Sequence, residues 1–444
     1  MIDKILSKLE HKNIAILGFG REGKATYKFI RKYLALQSLT IIDRIDVSKD
    51  DLLAGDKKTF VISGDNYLDG LDSYDLVIKS PGISLKDIDT TNVNLTSEIE
   101  LLLEVAKDKV IGVTGTKGKS TTTSLIASIL KENGLKVILA GNIGIPVFDR
   151  FDEVDEDTVF VLEMSSHQLE YLNVSPHIGV VLNLFEDHLD HAGSVEHYHN
   201  IKMNMFKYQE DDDYMVYCQD NISLKNKILE NKFKGKKYDV DIESKSAKTY
   251  LDDGKVYYDG NEVFDISLKR NLLGIYNFKN IMVAYTVSKI LLLDDDKTFK
   301  AIAEFKPLKY RLELVGEINK VKFFVDTLAT IPEATKESIE ALENVNTLIF
   351  GGMDRGISYE GFAEYLENTN IEHFICMPTT GHTIGNNLPH ERTFFVETLE
   401  EAVNMAKKVT KENTICLLSP AAASYEQFKN YAEKGDKYKE YVLR

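Results

Sequence analysis

The sequence predicts an α/β chain of three consecutive domains. Strand-like apolar runs alternate with segments of helical spacing along the whole length, as largely parallel, doubly wound sheets require. Two glycine-rich turns, GFGREG and GTKGKS, each stand between such a run and such a segment. The 444 residues also exceed what one hydrophobic core organises.

Residues 1–94 read as a Rossmann-like domain. NIAILGFGREG is strand and glycine turn, ATYKFIRKYLAL is helix, and SLTIIDR, FVISG and LVIKSPGI are further strands. The domain ends before TSEIELLLEVAK, a helix by spacing. Residues 95–304 read as a P-loop-type domain. KVIGVTGTKGKSTTTSLIASIL gives strand, loop and helix, and VILAGNIG, FVLEMSS and GVVLNL give strands. Short alternating segments, GKVYYD and NEVFDISL, precede the closing helix NFKNIMVAYTVSKIL. Residues 305–444 read as a second Rossmann-like domain, with strands KFFVDTL, TLIFGG, HFICM and TICLLSP and helices such as PEATKESIEAL between them.

Composition narrows the function classes. Hydrophobic residues at 43% and charged residues at 28% are ordinary for a globular protein. A formal net charge of −16 argues against a nucleic-acid partner, whose phosphates need clustered cations. It leaves room for small anions, which need only local cations and backbone amides. No apolar run approaches membrane-spanning length, and MIDKILSKLEHK lacks the features of a signal peptide. The expectation is a cytoplasmic protein with no membrane insertion. Cys218, Cys376 and Cys416 are scattered without metal-ligand spacing and are expected to be reduced thiols.

The chemistry concentrates in turns at strand ends. Gly115-Thr116-Lys117-Gly118-Lys119-Ser120-Thr121 reads as a phosphate loop: its glycines let backbone amides cradle phosphate oxygens, Lys119 can neutralise charge, and the Ser120 hydroxyl can ligate Mg²⁺. It departs from the strict pattern, with Val113 where the first glycine would stand and Gly112 one residue earlier. Gly18, Gly20 and Gly23 form a GxGxxG with Asp43 some twenty residues on. Alone that pattern suggests NAD. It equally suits any diphosphate, and a second phosphate loop plus a third domain have no part in a simple dehydrogenase.

Further motifs follow in order: Gly141-Asn142-Ile143-Gly144, Glu163-Met164-Ser165-Ser166-His167-Gln168, Asn183-Leu184-Phe185-Glu186-Asp187-His188, and Lys202. After them come Gly274-Ile275-Tyr276-Asn277, Tyr310-Arg311, Asp326-Thr327-Leu328-Ala329-Thr330, Gly351-Gly352-Met353-Asp354-Arg355, and a run from Ser419 through Ser424 to Tyr431. His188, His191, His197 and His199 cluster, but they lack the compact ligand pattern of a zinc site.

This ordered set resembles the Mur ligase family, the ATP-dependent ligases of peptidoglycan stem-peptide synthesis, which count folylpolyglutamate synthases among their relatives. The resemblance covers nearly the whole chain. It is closest to the branch that joins D-glutamate to UDP-N-acetylmuramoyl-L-alanine through an acyl phosphate. It implies a monomer that uses ATP and Mg²⁺ with those two substrates.

Residue by residue, the resemblance assigns roles as follows. Gly20, Arg21, Glu22, Asp43, Arg44, Ser80, Asn142, Ser165 and His188 would hold the UDP-linked substrate. Gly115 to Thr121, Asn277, Arg311 and Asp326 would hold ATP, with Arg311 on the phosphates and Asp326 on the ribose. Ser120, Glu163, His188 and a carbamylated Lys202 would serve Mg²⁺. Lys119, His188, Lys202 and Arg311 would carry catalysis, and Thr330, Arg355, Ser424 and Tyr431 would bind glutamate.

Three positions depart from the family pattern: Tyr276 stands where histidine is usual, Arg355 where lysine is common, and Leu328 where D-glutamate enzymes carry a lysine. A minor branch lacking that lysine adds L-glutamate, which makes the same reaction with L-glutamate the first alternative. Another glutamate ligase of the superfamily and a non-catalytic nucleotide-binding regulator are the others.

Overall fold

The computed structural model describes residues 1–187 and 192–444. Its described strands form three sheets. The first takes β1 (Ile14–Leu17), β2 (Leu39–Ile42), β3 (Thr59–Ile62), β4 (Leu76–Lys79) and β5 (Leu95–Thr96), all parallel, in the order β3-β2-β1-β4-β5. Strands β1, β2 and β4 are buried throughout, whereas edge strand β3 exposes every second residue. The order reverses between β1 and β4, and such a switch point opens a ligand crevice at the C-terminal strand ends. Strand β5 overlaps, at Thr96, the stretch read above as helix. That helix, Glu98–Ala106, starts only after Ser97, whose side chain caps it by accepting from the Glu100 amide.

The second sheet takes β6 (Val110–Thr114), β7 (Val137–Gly141), β8 (Val159–Glu163), β9 (Ile178–Val181), β10 (Tyr214–Cys218), β11 (Lys236–Asp241), β12 (Thr249–Asp252), β13 (Lys255–Tyr258) and β14 (Asn261–Asp265). Its order is β14-β13-β12-β11-β10-β9-β6-β8-β7, parallel except for the antiparallel pairs at β12-β13-β14. Two-residue turns, Asp253-Gly254 and Asp259-Gly260, make those hairpins, which accounts for the short alternating segments in the sequence.

The third sheet takes β15 (Glu313–Ile318), β16 (Val321–Val325), β17 (Val345–Phe350), β18 (His373–Cys376), β19 (Thr393–Phe395) and β20 (Ile415–Leu418), in the order β15-β16-β20-β17-β18-β19. Only the edge strand β15 runs antiparallel.

The chain divides into two compact units, Met1–Lys269 with Lys279–Ala303, and Arg270–Phe278 with Glu304–Arg444. The first two sheets share the first unit. Phe29, from the helix that follows β1, stacks on Phe148 with ring centroids 4.3 Å apart and meets Phe151 edge-on at 5.3 Å. Such pairs contribute about 0.5–1.5 kcal/mol each beyond area burial, so the two layers are fastened by packing as well as by the connecting chain. Among the described residues, no helix is long and apolar enough to cross a membrane.

Candidate functional site

Strand β6 ends at Thr114 and delivers the phosphate loop to the N-terminus of helix Lys119–Glu132. Gly118 caps that helix at φ +82°, a conformation glycine adopts without penalty. The loop is strapped from outside. Asn183, just past β9, accepts the Thr116 and Lys117 amides on Oδ1 at 2.9 and 2.8 Å and donates from Nδ2 to the Lys117 carbonyl at 3.1 Å. Asn280 closes the other side: a Cβ on Gly118 would stand 2.9 Å from its Oδ1. Neither asparagine was assigned a role in the sequence, although Asn183 opens the Asn183–His188 motif quoted there.

Two lysines meet beneath the loop. Lys119 Nζ folds back to donate to the carbonyls of Gly115 at 2.9 Å and Thr116 at 3.0 Å. Lys202, on helix Val195–Lys207, also donates to the Gly115 carbonyl, at 3.0 Å. Lys202 is 1% exposed, and its ammonium lies 4.8 Å from the ring of Tyr198, one turn earlier. Burial holds its pKa well below the usual lysine range; the Lys119 charge adds to this, and Asp187 and Glu163 oppose it.

Glu163 ends β8, beside β6 in the sheet. It is 2% exposed, and its Oε1 accepts from Asn142 Nδ2 at 2.6 Å. Its Oε2 is buried with no hydrogen-bond partner among the described residues. An unsatisfied buried carboxylate oxygen is a fitting ligand for a hard cation, and the half-buried Ser120 opens the adjacent helix with a second oxygen donor. These residues therefore fit Mg²⁺. Among the described residues no three His, Cys, Asp or Glu side chains converge as a metal cluster. His188 and His191 lie outside the described residues.

Ser165 caps the short helix Ser166–Leu169 in a capping box with Gln168. Gln168 reaches further: its Nε2 donates to Glu22 Oε1 at 2.7 Å. Glu22 opens the helix after the first sheet's glycine turn, Arg21–Tyr33. In that turn Gly23 is obligatory, because a Cβ there would lie 1.9 Å from the Gly18 carbonyl oxygen. Ser80 at the end of β4 donates to the same carbonyl at 2.8 Å. Asp43 accepts the Phe19 amide on Oδ2 at 2.7 Å and the Ile45 amide on Oδ1 at 3.0 Å. Both its oxygens thus shape the turn, a different use from the ribose acceptor of a dinucleotide fingerprint. Arg21 Nη1 donates to the Gly144 carbonyl at 3.0 Å, so the Asn142–Gly144 turn stands at the same crevice. Gly20, Arg21 and Arg44 are exposed.

In the second unit, Asp326 directly follows β16 and is 7% exposed. Burial pushes its carboxyl up to about 6, even though Ser338 donates to it and the Arg311 guanidinium lies near. Arg311 itself is half-buried, and its Nε lacks a hydrogen-bond partner among the described residues. Asn277 sits in the Arg270–Phe278 segment and donates to the Leu273 carbonyl at 2.8 Å.

The expected glutamate residues are spread over neighbouring loops of this unit. Ser424 is 4% exposed with a hydroxyl that has no partner among the described residues, while Arg355 is exposed on the loop after Met353. Tyr431 begins helix Tyr431–Leu443, and its carbonyl accepts from Thr327 Oγ1 at 2.9 Å. Thr330 and Leu328 are half-buried. No hydrogen bond joins Thr330, Arg355, Ser424 and Tyr431 side chain to side chain. Lys434, three residues after Tyr431 on the same helix, is a buried charge that sequence reasoning missed. It is 1% exposed, donates to the Gly351 carbonyl at 2.9 Å, and is held down to about 7 by burial. Nothing in the local sequence marks a lysine on a polar C-terminal helix as buried.

A phosphate loop with two converging lysines, a buried carboxylate with a spare oxygen, and a second glycine turn across the same unit define a nucleotide-using enzyme of α/β build. Residues 113–288 match the Mur ligase middle domain, and residues 310–422 match the domain described as Mur ligase, glutamate ligase domain. Relatives align with the chain almost end to end at 32% identity, and the chain belongs to the Mur ligase family. One is the UDP-N-acetylmuramoylalanine–D-glutamate ligase of Oenococcus oeni, 32% identical over 98% of this chain and 97% of the relative. The enzyme of that name from Clostridium perfringens matches at the same identity and coverage, 32%, 98% and 97%. Among solved structures, the UDP-N-acetylmuramate-alanine ligase of Thermotoga maritima shares the fold, with a TM-score of 0.60 over 98% of this chain and 99% of that one at 18% identity.

Proposed function

We propose that this protein joins D-glutamate to UDP-N-acetylmuramoyl-L-alanine at the expense of ATP, in cytoplasmic peptidoglycan precursor synthesis. The observation that carries the proposal is the convergence of Lys119 and Lys202 on the Gly115 carbonyl, with Glu163 and its spare oxygen close by, in a chain matched end to end by D-glutamate ligases.

In this reading the carboxylate of UDP-N-acetylmuramoyl-L-alanine attacks the γ-phosphate of ATP, forming an acyl phosphate and releasing ADP. The amine of glutamate then attacks the acyl carbon, and phosphate leaves as the new amide forms. The loop amides and Lys119 stabilise charge on the transferring phosphoryl group, the main task in such chemistry. Bound Mg²⁺ would neutralise phosphate charge, held by Glu163 and Ser120, with His188 and a carbamylated Lys202 as the family pattern implies. Arg311 and Asp326 are the guanidinium and carboxylate that the family directs to the nucleotide. Gly20, Arg21, Asp43, Arg44, Ser80, Asn142 and Ser165 are assigned to the UDP-linked substrate, and Thr330, Arg355, Ser424 and Tyr431 to glutamate. The enzyme acts as a monomer.

One residue speaks for L-glutamate as the amino acid: Leu328, half-buried in the turn after β16, in place of a lysine. The deciding experiment is phosphate release with ATP, Mg²⁺ and UDP-N-acetylmuramoyl-L-alanine, supplied with D- or L-glutamate. Release with D-glutamate alone is the expected result. Release with L-glutamate alone would transfer the protein to the L-glutamate branch, and release with neither would overturn the assignment.

A further inference from the structure

Glu22 is an odd residue to find at a diphosphate turn. It is the second residue of helix Arg21–Tyr33, at the end where unpaired backbone amides attract anions. A carboxylate there repels the ligand that the turn is read to bind. Its geometry shows a different employment. Glu22 Oε1 accepts from Gln168 Nε2 at 2.7 Å, and Gln168 Oε1 accepts from the Ser165 amide at 3.0 Å and the Ser165 hydroxyl at 3.2 Å.

The chemistry of a carboxamide makes this chain directional. Gln168 is 6% exposed, so both ends of its amide need protein partners. Glu22 Oε1 accepts here, and in its ionised form it can only accept, so Gln168 presents its N–H groups to the first sheet's turn and its oxygen to Ser165. The flipped amide would set oxygen against carboxylate and N–H against the Ser165 N–H. A residue of the first sheet's turn thereby dictates how a residue of the second sheet's turn is held, across 146 positions of sequence.

We propose that Glu22 is a positioning residue for the UDP-linked substrate: through Gln168 it fixes the Ser165 turn, so that the two turns lining the crevice are aligned as one site. The inference rests on the assignment of this crevice to a UDP-sugar. The groups facing Glu22 are Arg21 on its own helix, Lys79 at the end of β4, Glu98 at the start of the next long helix, and Gln168; Glu170 in turn faces Lys79. Burial outweighs the two cations and pushes the Glu22 carboxyl up to about 7. Either protonation state can accept from Gln168, but only the ionised one opposes a diphosphate on the same helix turn.

The test is calorimetric binding of UDP-N-acetylmuramoyl-L-alanine to the full chain, alongside turnover. E22A leaves Gln168 without its acceptor and should weaken binding roughly tenfold or more, the usual effect of losing a hydrogen bond to a charged group. KM for ATP should not change. E22Q keeps an acceptor oxygen and should bind within about threefold of the native chain. Q168A should weaken binding like E22A, and the double variant should be no weaker than either, because both break one chain. Native affinity should fall between about pH 6 and about pH 8, while E22Q stays level.

Native affinity in E22A, E22A-like loss in E22Q, additive single effects, or the native pH dependence persisting in E22Q would each overturn the inference. Failure of turnover with either glutamate, with substrate binding intact, would overturn the proposed reaction and leave this inference standing on the binding data. A native chain that binds no UDP-linked substrate would overturn both.

Discussion

Lys202 and Gly115 are joined beneath the phosphate loop: the buried ammonium donates to the loop carbonyl at 3.0 Å, while Lys119 donates to the same oxygen from within the loop. Burial, reinforced by the Lys119 charge, holds the Lys202 amine well below the usual lysine range, and a neutral amine is the form that captures CO₂ as a carbamate. Lys202→Ala should lower turnover by roughly 10²–10³, the scale of losing one charge-orienting group. Short carboxylic acids should restore part of that loss by standing in for the carbamate. Lack of any such rescue would count against the carbamate role.

Lys119→Ala should abolish turnover and leave the fold intact. Lys119 Nζ donates to the loop carbonyls of Gly115 and Thr116, and the circular dichroism spectrum of the variant, expected to match the native one, checks that the fold is kept. Unchanged phosphate release would sink the phosphate-loop assignment.

Asn183 is 5% exposed and organises three backbone groups of the loop. Asn183→Ala removes all three side-chain bonds, while the Thr116 amide keeps the backbone carbonyl of residue 183 at 3.1 Å; the loss is on the scale of about 1–3 kcal/mol for a buried polar group. KM for ATP should rise roughly tenfold or more on that scale, with the affinity for the UDP-linked substrate unaffected. Steady-state kinetics with each substrate varied in turn separates the two.

Asp326 makes stability depend on pH. Burial raises its carboxyl from the ordinary 3.8 to about 6, so the folded chain binds this proton more tightly than the unfolded chain. The stabilising contribution is complete below the unfolded value and disappears as pH rises through the folded one. Asp326→Asn should therefore gain up to about 3 kcal/mol relative to the native chain between about pH 4 and about pH 6. Denaturant unfolding across that range measures it, and parallel ATP titrations should show weaker binding in the variant.

Lys434 has the opposite dependence. Burial lowers its amine from 10.5 to about 7, so above 7 the unfolded chain carries a proton the folded chain has lost. Its contribution to stability then rises with pH. Relative to Lys434→Met, the native chain should gain about 2–3 kcal/mol between about pH 7 and about pH 9. A difference that stays level with pH would show that the amine is not held in its neutral form.

Much of the architecture was legible because it is written in short-range pattern. The runs ending at Leu17, Thr114 and Glu163 are apolar on both faces, as central parallel strands must be, and each empties into glycine or a small polar turn. Strand β15 was missed because ELVGEI is half polar and pairs antiparallel at a sheet edge, where neither hydrophobic run nor clean alternation is required. Strand β5 was missed because two residues give no period and the helix pattern behind them runs straight through.

The same division holds for the chemistry. Sequence alone determined the two glycine turns and the strand-end motifs, since glycine spacing and a lysine-serine pair at a helix start act through backbone geometry within a few residues. Only the tertiary structure decided which charges face one another. Glu22 meets Gln168, Lys202 meets Gly115 87 residues away, and Lys434 meets Gly351 83 residues away. Burial and long-range pairing set those protonation states and orientations, and both are properties of the packed chain.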